Sequence, residues 1–176
     1  MSRLPTLFIP HGGGPCFFMD WDPPDTWARM ADYLRHVPEE TGSSPPRALV
    51  VISGHWEESV VTIQNNPAPA LLYDYYGFPP NTYQIKFPAP GAPEVSARVS
   101  ELLEAAGIPW KYDHERGFDH GVFIPLKVAF PNANVPIVEP MATPENPIHP
   151  ALVDGRANVP KKRNNSVNVA AADCIM

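Results

Sequence analysis

Residues 47–57 read Arg-Ala-Leu-Val-Val-Ile-Ser-Gly-His-Trp-Glu. From Arg47 to Ser53 the run is almost unbroken apolar, the pattern of a strand buried on both faces rather than on one. It stops at Gly54, and the first large polar side chain beyond it is His55. A second stretch has the same form: Leu4–Pro10 (LPTLFIP) leads into His11-Gly12-Gly13-Gly14-Pro15. A strand followed by a tight Gly-rich loop is the natural reading. Outward from these two runs the periodicity changes. Over 24–36, Trp27, Met30, Ala31 and Leu34 share one helical face, with Asp25 placed to cap or charge the first turn. Pro93–Ala106 is a second amphipathic helix, with Pro93 in its first turn, Gly107 just past its end, and Val95, Val99, Leu102 and Leu103 apolar. Short strands are expected at 60–64, 83–87, 110–112 and 135–138. A helix is expected over 122–130, entered through Pro125. Strands alternating with helices predict an α/β fold: a single mixed or mostly parallel sheet with helices on its faces.

The chain has 176 residues, enough for one domain with a sizeable core. Its 24 prolines stand far above the ~5% of ordinary usage, yet they separate apolar runs, so they predict Pro-set loops rather than a disordered tract. The net charge of −6 argues against a broad phosphate-binding surface and hence against nucleic acid. The short basic run Lys161-Lys162-Arg163 reads as solvated surface. Cys16 and Cys174 form no CxxC pair, which fits a reduced, cytoplasmic setting. No leader-like apolar segment and no membrane-length apolar run is visible. Composition shifts after Pro140. Residues 141–176 hold no Phe, Trp or Tyr but five Asn and four Pro. The expected organisation is therefore a catalytic-type α/β domain over 1–140 and an atypical, poorly packed tail over 141–176.

The chemistry is sought at the strand ends. If the strands before His11 and His55 are parallel neighbours, both imidazoles emerge at the carboxyl edge of the sheet, where open α/β sheets bind ligands. Neutral imidazole is the commonest metal ligand. A histidine after a strand is by itself an ordinary polar loop residue; the repeated context makes the pair suggestive. His120 lies in Gly117-Phe118-Asp119-His120-Gly121, before a helix, and can give and take protons near neutrality. His114 sits among charged neighbours and reads as solvated. His36 suits a helix C-terminus, and His149 looks incidental. Two histidines plus one carboxylate form the site type of non-haem iron oxygenases. Candidates for the carboxylate are Glu57, Glu58 and Glu139, the last at a strand end. No Walker loop, GxGxxG, HExxH or GxSxG is present. Cys16 reads as a buried, inert thiol. The tyrosines of 73–76 either line a pocket or pack a loop onto the core.

Five segments then acquire a joint meaning: FIPHGGGP (8–15), VVISGHWE (50–57), YDYYGFPP (73–80), YQIKFPAPG (83–91) and GFDHGVFIPLKVAFP (117–131). Together, and in this order, they resemble the class III extradiol ring-cleavage dioxygenases, of the type that includes the plant DOPA 4,5-dioxygenases and their bacterial relatives. The resemblance runs from about Leu4 to Pro136. It implies that His11 and His55 bind metal and that His120 is the acid/base, with His120 an additional ligand in zinc-loaded forms. It implies Fe(II) for activity, Zn(II) as isolated, and a small DOPA-like catechol with O2 as substrates. The family's third metal ligand, a histidine in a later Ser/Gly-rich segment, has no match here: His149 lacks the surroundings, and Ser166 and Asn168 do not rebuild it. The resemblance thus implies a fold truncated at its C-terminal end, with sheet edge and apolar surface left exposed. Two competing readings follow. One is a catalytically impaired isoform acting, if at all, through a partner or a full-length subunit; a homo-oligomer is a separate expectation. The other is a zinc hydrolase, which lacks an obvious general-base glutamate.

Overall fold

The structure, a computed structural model, describes residues 4–42 and 44–141 together with the backbone of 166–172. The described residues form seven strands: β1 (Thr6–Pro10), β2 (Ala48–Ser53), β3 (Val61–Gln64), β4 (Trp110–Asp113), β5 (Ile137–Val138), β6 (Pro140–Met141) and β7 (Ser166–Ala172). The helices are α1 (Ala28–Glu40), α2 (Pro93–Ala105) and α3 (His120–Ala129). The chain is α/β, as its pattern predicts.

Where one sheet was expected, hydrogen bonding divides the strands into two ladders, β1-β7-β2-β5 and β4-β3-β6. The extended segment Ile137–Met141 belongs to both. Its first half pairs parallel with β2, Leu49 opposite Ile137. Its second half pairs antiparallel with β3, Ile63 opposite Pro140, and the Gln64 amide donates to the Glu139 carbonyl at 3.0 Å. The ladders part because each holds this segment for only two residues, and Pro140 has no N–H with which to continue.

β7 pairs antiparallel with both β1 and β2, Val169 standing opposite Leu7 on one side and Val51 on the other. β1 and β2 therefore run parallel but are not neighbours. β7 lies within the stretch expected to be a tail. Residues 142–165 and 173–176, with His149, the basic run and Cys174, lie outside the described residues.

Helices cover both faces. Leu34 and Val37 of α1 and most of α3 pack on Leu49, Val51 and Ile137. On the other face, Val99 and Leu103 of α2 pack on Ala48, Val61, Ile63 and Val138. Alternate residues of β2 thus feed opposite layers, which is why β2 is apolar almost throughout. Gly107, at φ 67°, ends α2 with its amide bonded to the Glu104 carbonyl, as the Gly signal predicts.

Some local expectations are corrected. Residues 83–87 form no strand. Pro80–Gln84 is a 3-10 turn, and the chain after it is extended with Ile85, Phe87 and Ala89 buried in alternation. Pro88 and Pro90 lack the N–H groups a ladder needs, so the period-two pattern survives without pairing. α3 starts at His120, not at 122, because Asp119 caps it: the Asp119 side chain accepts from the Val122 amide at 3.3 Å. Pro125 lies inside the helix rather than at its entry. Asp25 does not cap α1 through its side chain, and α1 runs on to Glu40, past the expected end at His36. Leu102, assigned to the apolar face of α2, is 37% exposed.

Candidate metal centre

His11 follows β1 directly, and His55 follows β2 by two residues. The two strands are separated by β7, so their axes lie about two strand spacings, ~10 Å, apart. Both side chains lean over the end of β7 and meet: the two Nε2 atoms are 3.0 Å apart. His120, in the first turn of α3, closes the group. Its ring centroid is 4.2 Å from that of His55 and 5.2 Å from that of His11. The ligand-capable nitrogens of the three residues lie within 4.8 Å of one another. His11 and His120 are buried, while His55 remains partly open to solvent.

The surroundings hold this arrangement from below. The Ser53 hydroxyl donates to Asp119 Oδ1 at 2.8 Å and accepts the His55 amide at 3.2 Å. Arg116 donates to Asp119 Oδ2 at 3.0 Å and lies over the Trp56 ring. Gly121 has no side chain because there is no room for one. A Cβ there would stand 2.8 Å from His55 Cδ2, 2.8 Å from Ser53 Oγ and 3.0 Å from Asp119 Oδ1. The Gly-rich loop after β1 turns through left-handed backbone at Gly12 (φ 75°) and Gly14 (φ 55°). A Cβ on Gly14 would press into the Phe78 ring at 2.7 Å.

Sequence reasoning missed Asp74. Its Oδ1 accepts from His120 Nδ1 at 2.7 Å and from the His120 amide at 2.9 Å, and its Oδ2 faces His55 Nδ1 at 3.5 Å. The signal was in plain view, an acid between tyrosines in YDYYGFPP, but its partner lies 46 residues on. The tyrosines of that stretch divide. Tyr75 packs edge-on against His120, with ring centroids 5.6 Å apart, whereas Tyr76 is 92% exposed.

The electrostatics suit metal binding. Burial, with the neighbouring His55 and His120, pushes the His11 pKa down to about 4, so its imidazole is neutral at ordinary pH. Burial likewise lowers His55. Burial pushes Asp74 upward, but the hydrogen bonds from His120 outweigh it and hold the carboxyl below its usual range. His11 Nδ1 is buried with no hydrogen-bond partner among the described residues. Two nitrogens sharing one ion as adjacent ligands at ~2.0–2.1 Å stand about 3 Å apart, which the His11–His55 spacing matches. The donor set therefore fits a divalent transition metal.

The carboxylate candidates are elsewhere. Glu57 is exposed, and Glu58 pairs with Lys111 at 3.0 Å. Glu139 is fully buried beside Asp119, outside the histidine group. His114 is exposed, and exposed His36 bonds to the Asp32 carbonyl of its own helix. Burial pushes the Cys16 thiol up to about 11, as an inert cysteine requires.

Three imidazoles gathered at the carboxyl edge of an α/β sheet form a donor set able to hold one metal ion. The chain belongs to the family described as the catalytic LigB subunit of aromatic ring-opening dioxygenase, which it matches over residues 5–148. It is 35% identical over 144 residues to the dioxygenase tasH of Hapsidospora irregularis, covering 79% of this chain and 44% of that protein. It is 35% identical to the 4,5-DOPA dioxygenase extradiol of Beta vulgaris, covering 76% of this chain and 48% of that one. The Escherichia coli K12 protein of the same description is 33% identical, covering 78% and 47%. The chain thus spans under half the length of these relatives. A solved structure of the uncharacterised Escherichia coli K12 protein JW3007 aligns over 63% of this chain and 39% of that one, with 30% identity and a TM-score of 0.49. Among the described residues no helix is long and apolar enough to cross a membrane.

Proposed function

We propose that this chain carries out extradiol cleavage of a small catecholic, DOPA-like ring with O2, using a metal held by His11 and His55 and an acid/base at His120. The observation that carries this reading is the convergence of the three imidazoles. When bound, Fe(II) supplies a common point for both reactants and stabilises developing negative charge; Zn(II) fits the same nitrogens. His11 and His55 are kept neutral by burial, so each ring has one unprotonated nitrogen available for coordination. In this reading His120 takes a proton from a catechol hydroxyl and returns it as the ring opens. Tyr75 packs against the His120 ring and restricts its rotation.

The test is metal stoichiometry of the purified chain after anaerobic loading with Fe(II) and, separately, Zn(II). About one metal per chain, lost in both His11→Ala and His55→Ala, is the expected result, followed by catechol-dependent O2 uptake. His120→Ala should retain metal and lose turnover by roughly 10²–10⁴-fold. Normal turnover in that variant would remove the acid/base role.

A second reading has this chain acting through a partner or another copy of a related subunit. It is favoured by the cluster itself, which among the described residues contains three histidines and no carboxylate. Failure to bind metal alone, with binding restored by such a subunit, selects it. A fully active, monodisperse monomer eliminates it.

A further inference from the structure

We propose that Asp74 is a positioning residue for this centre: its carboxylate holds the Nδ1 proton of His120 and faces Nδ1 of His55, so that both rings turn unprotonated Nε2 atoms inward. Its importance for metal binding rests on the function proposed above; the tautomer assignment stands on the geometry alone. A carboxylate accepts and does not donate, so the 2.7 Å contact places the proton on His120 Nδ1. The second carboxylate oxygen, 3.5 Å from His55 Nδ1, biases that ring the same way. Without metal, His55 Nε2 is then an acceptor and the 3.0 Å contact makes His11 the donor through Nε2, a proton that moves to Nδ1 when Nε2 coordinates. That metal-free choice leaves His11 Nδ1 without its proton, and this is the atom found buried with no partner among the described residues. One carboxylate thereby accounts for the protonation pattern of all three rings.

Asp74 is itself held. The chain before it docks beside Phe118: the Leu72 amide donates to the Phe118 carbonyl, and the Phe118 amide to the Ala70 carbonyl, each at 2.8 Å. That approach needs Gly117, where any Cβ would collide with the Ala70 carbonyl. The flanking hydroxyls are anchored too, Tyr73 on the Ile85 carbonyl at 2.6 Å and Tyr75 on the Thr82 carbonyl at 2.7 Å. The Asp74 contact to the His120 amide ties the loop to the start of α3. A carboxylate braced on both sides, with its oxygens shared by two imidazoles, is what outer partners of metal-binding histidines require.

The experiment is long-range ¹H–¹⁵N NMR of histidine rings in the full ¹⁵N-labelled chain, without metal, at mildly alkaline pH. His120 and His55 are expected as Nδ1–H tautomers and His11 as Nε2–H. An Nε2–H tautomer at His120 in the parent chain overturns the proposal without any variant. In Asp74→Asn, with folding checked by circular dichroism, His120 and His55 should become tautomer mixtures, and Zn(II) affinity should fall about 10–100-fold. Unchanged tautomers and affinity in the folded variant overturn it. A parent chain with the expected tautomers that binds no Zn(II) supports the Asp74 assignment while removing the metal-dependent function, so the two fail separately.

Discussion

Glu139 is fully buried, and neither of its carboxylate oxygens meets a donor among the described residues. Burial and the nearby charge of Asp119 raise its pKa well above the ordinary 4.5. The folded chain therefore keeps a proton that the unfolded chain releases above about 4.5. More protons bound in the native state mean that stability falls as pH rises from there through the folded value. Glu139→Gln removes that fall. The variant should be more stable than its parent at neutral and alkaline pH and should show no advantage near pH ~4, where both forms are neutral. Urea unfolding across this range checks the prediction; parallel pH profiles would defeat it. At the same scale, the three histidines were readable because each follows a strand or opens a helix. Asp74 was not, since nothing local couples a loop acid to a ring 46 positions away.

At the scale of elements, the junction of β2 and α3 is a tightly packed point of the site. Ser53 ends the strand, Asp119 caps the helix, and Gly121 lets His55 lie between them. Gly121→Ala sets two effects against each other. Helix propensity gains up to ~1 kcal/mol, while overpacking costs about 1–3 kcal/mol. Strand, cap and helix all border the new Cβ, so overpacking should win, and His55 should be displaced. A lower urea midpoint together with weaker Zn(II) binding is expected; an unchanged midpoint and affinity would show that the junction can yield. The sequence marks the ends of β1, β2 and α2 closely because prolines and glycines punctuate it there. It misplaces the start of α3 because a cap depends on one hydrogen bond, from the Val122 amide to Asp119.

At the scale of the molecule, the distance between His11 and His55 depends on what lies between β1 and β2. That element is β7, paired with β1 through residues 166–170 and with β2 through residues 167–172. Val169→Pro removes one N–H from the middle of this double ladder and places a ring where neighbouring backbone must approach. A cost on the order of 3 kcal/mol is expected. The two histidines should then cease to share a metal. Denaturation combined with Zn(II) stoichiometry reads both effects, and a variant with parental stability and one shared Zn(II) would contradict this role for β7.

The sequence by itself determined the α/β class, the buried central strand, two of the three helices nearly to their ends, and the three histidines as the residues to test. These are local properties: the length of an apolar run, its period, and the polar residue that ends it. The tertiary structure decided that β1 and β2 run parallel with a strand between them and that Ile137–Met141 joins two ladders. It also decided that Glu139 is buried away from the histidines and that Asp74 faces two imidazoles. Each of these depends on which distant segments pair or pack. No pattern within a single stretch of chain encodes such a choice, because pairing partners are selected by the burial of the whole core.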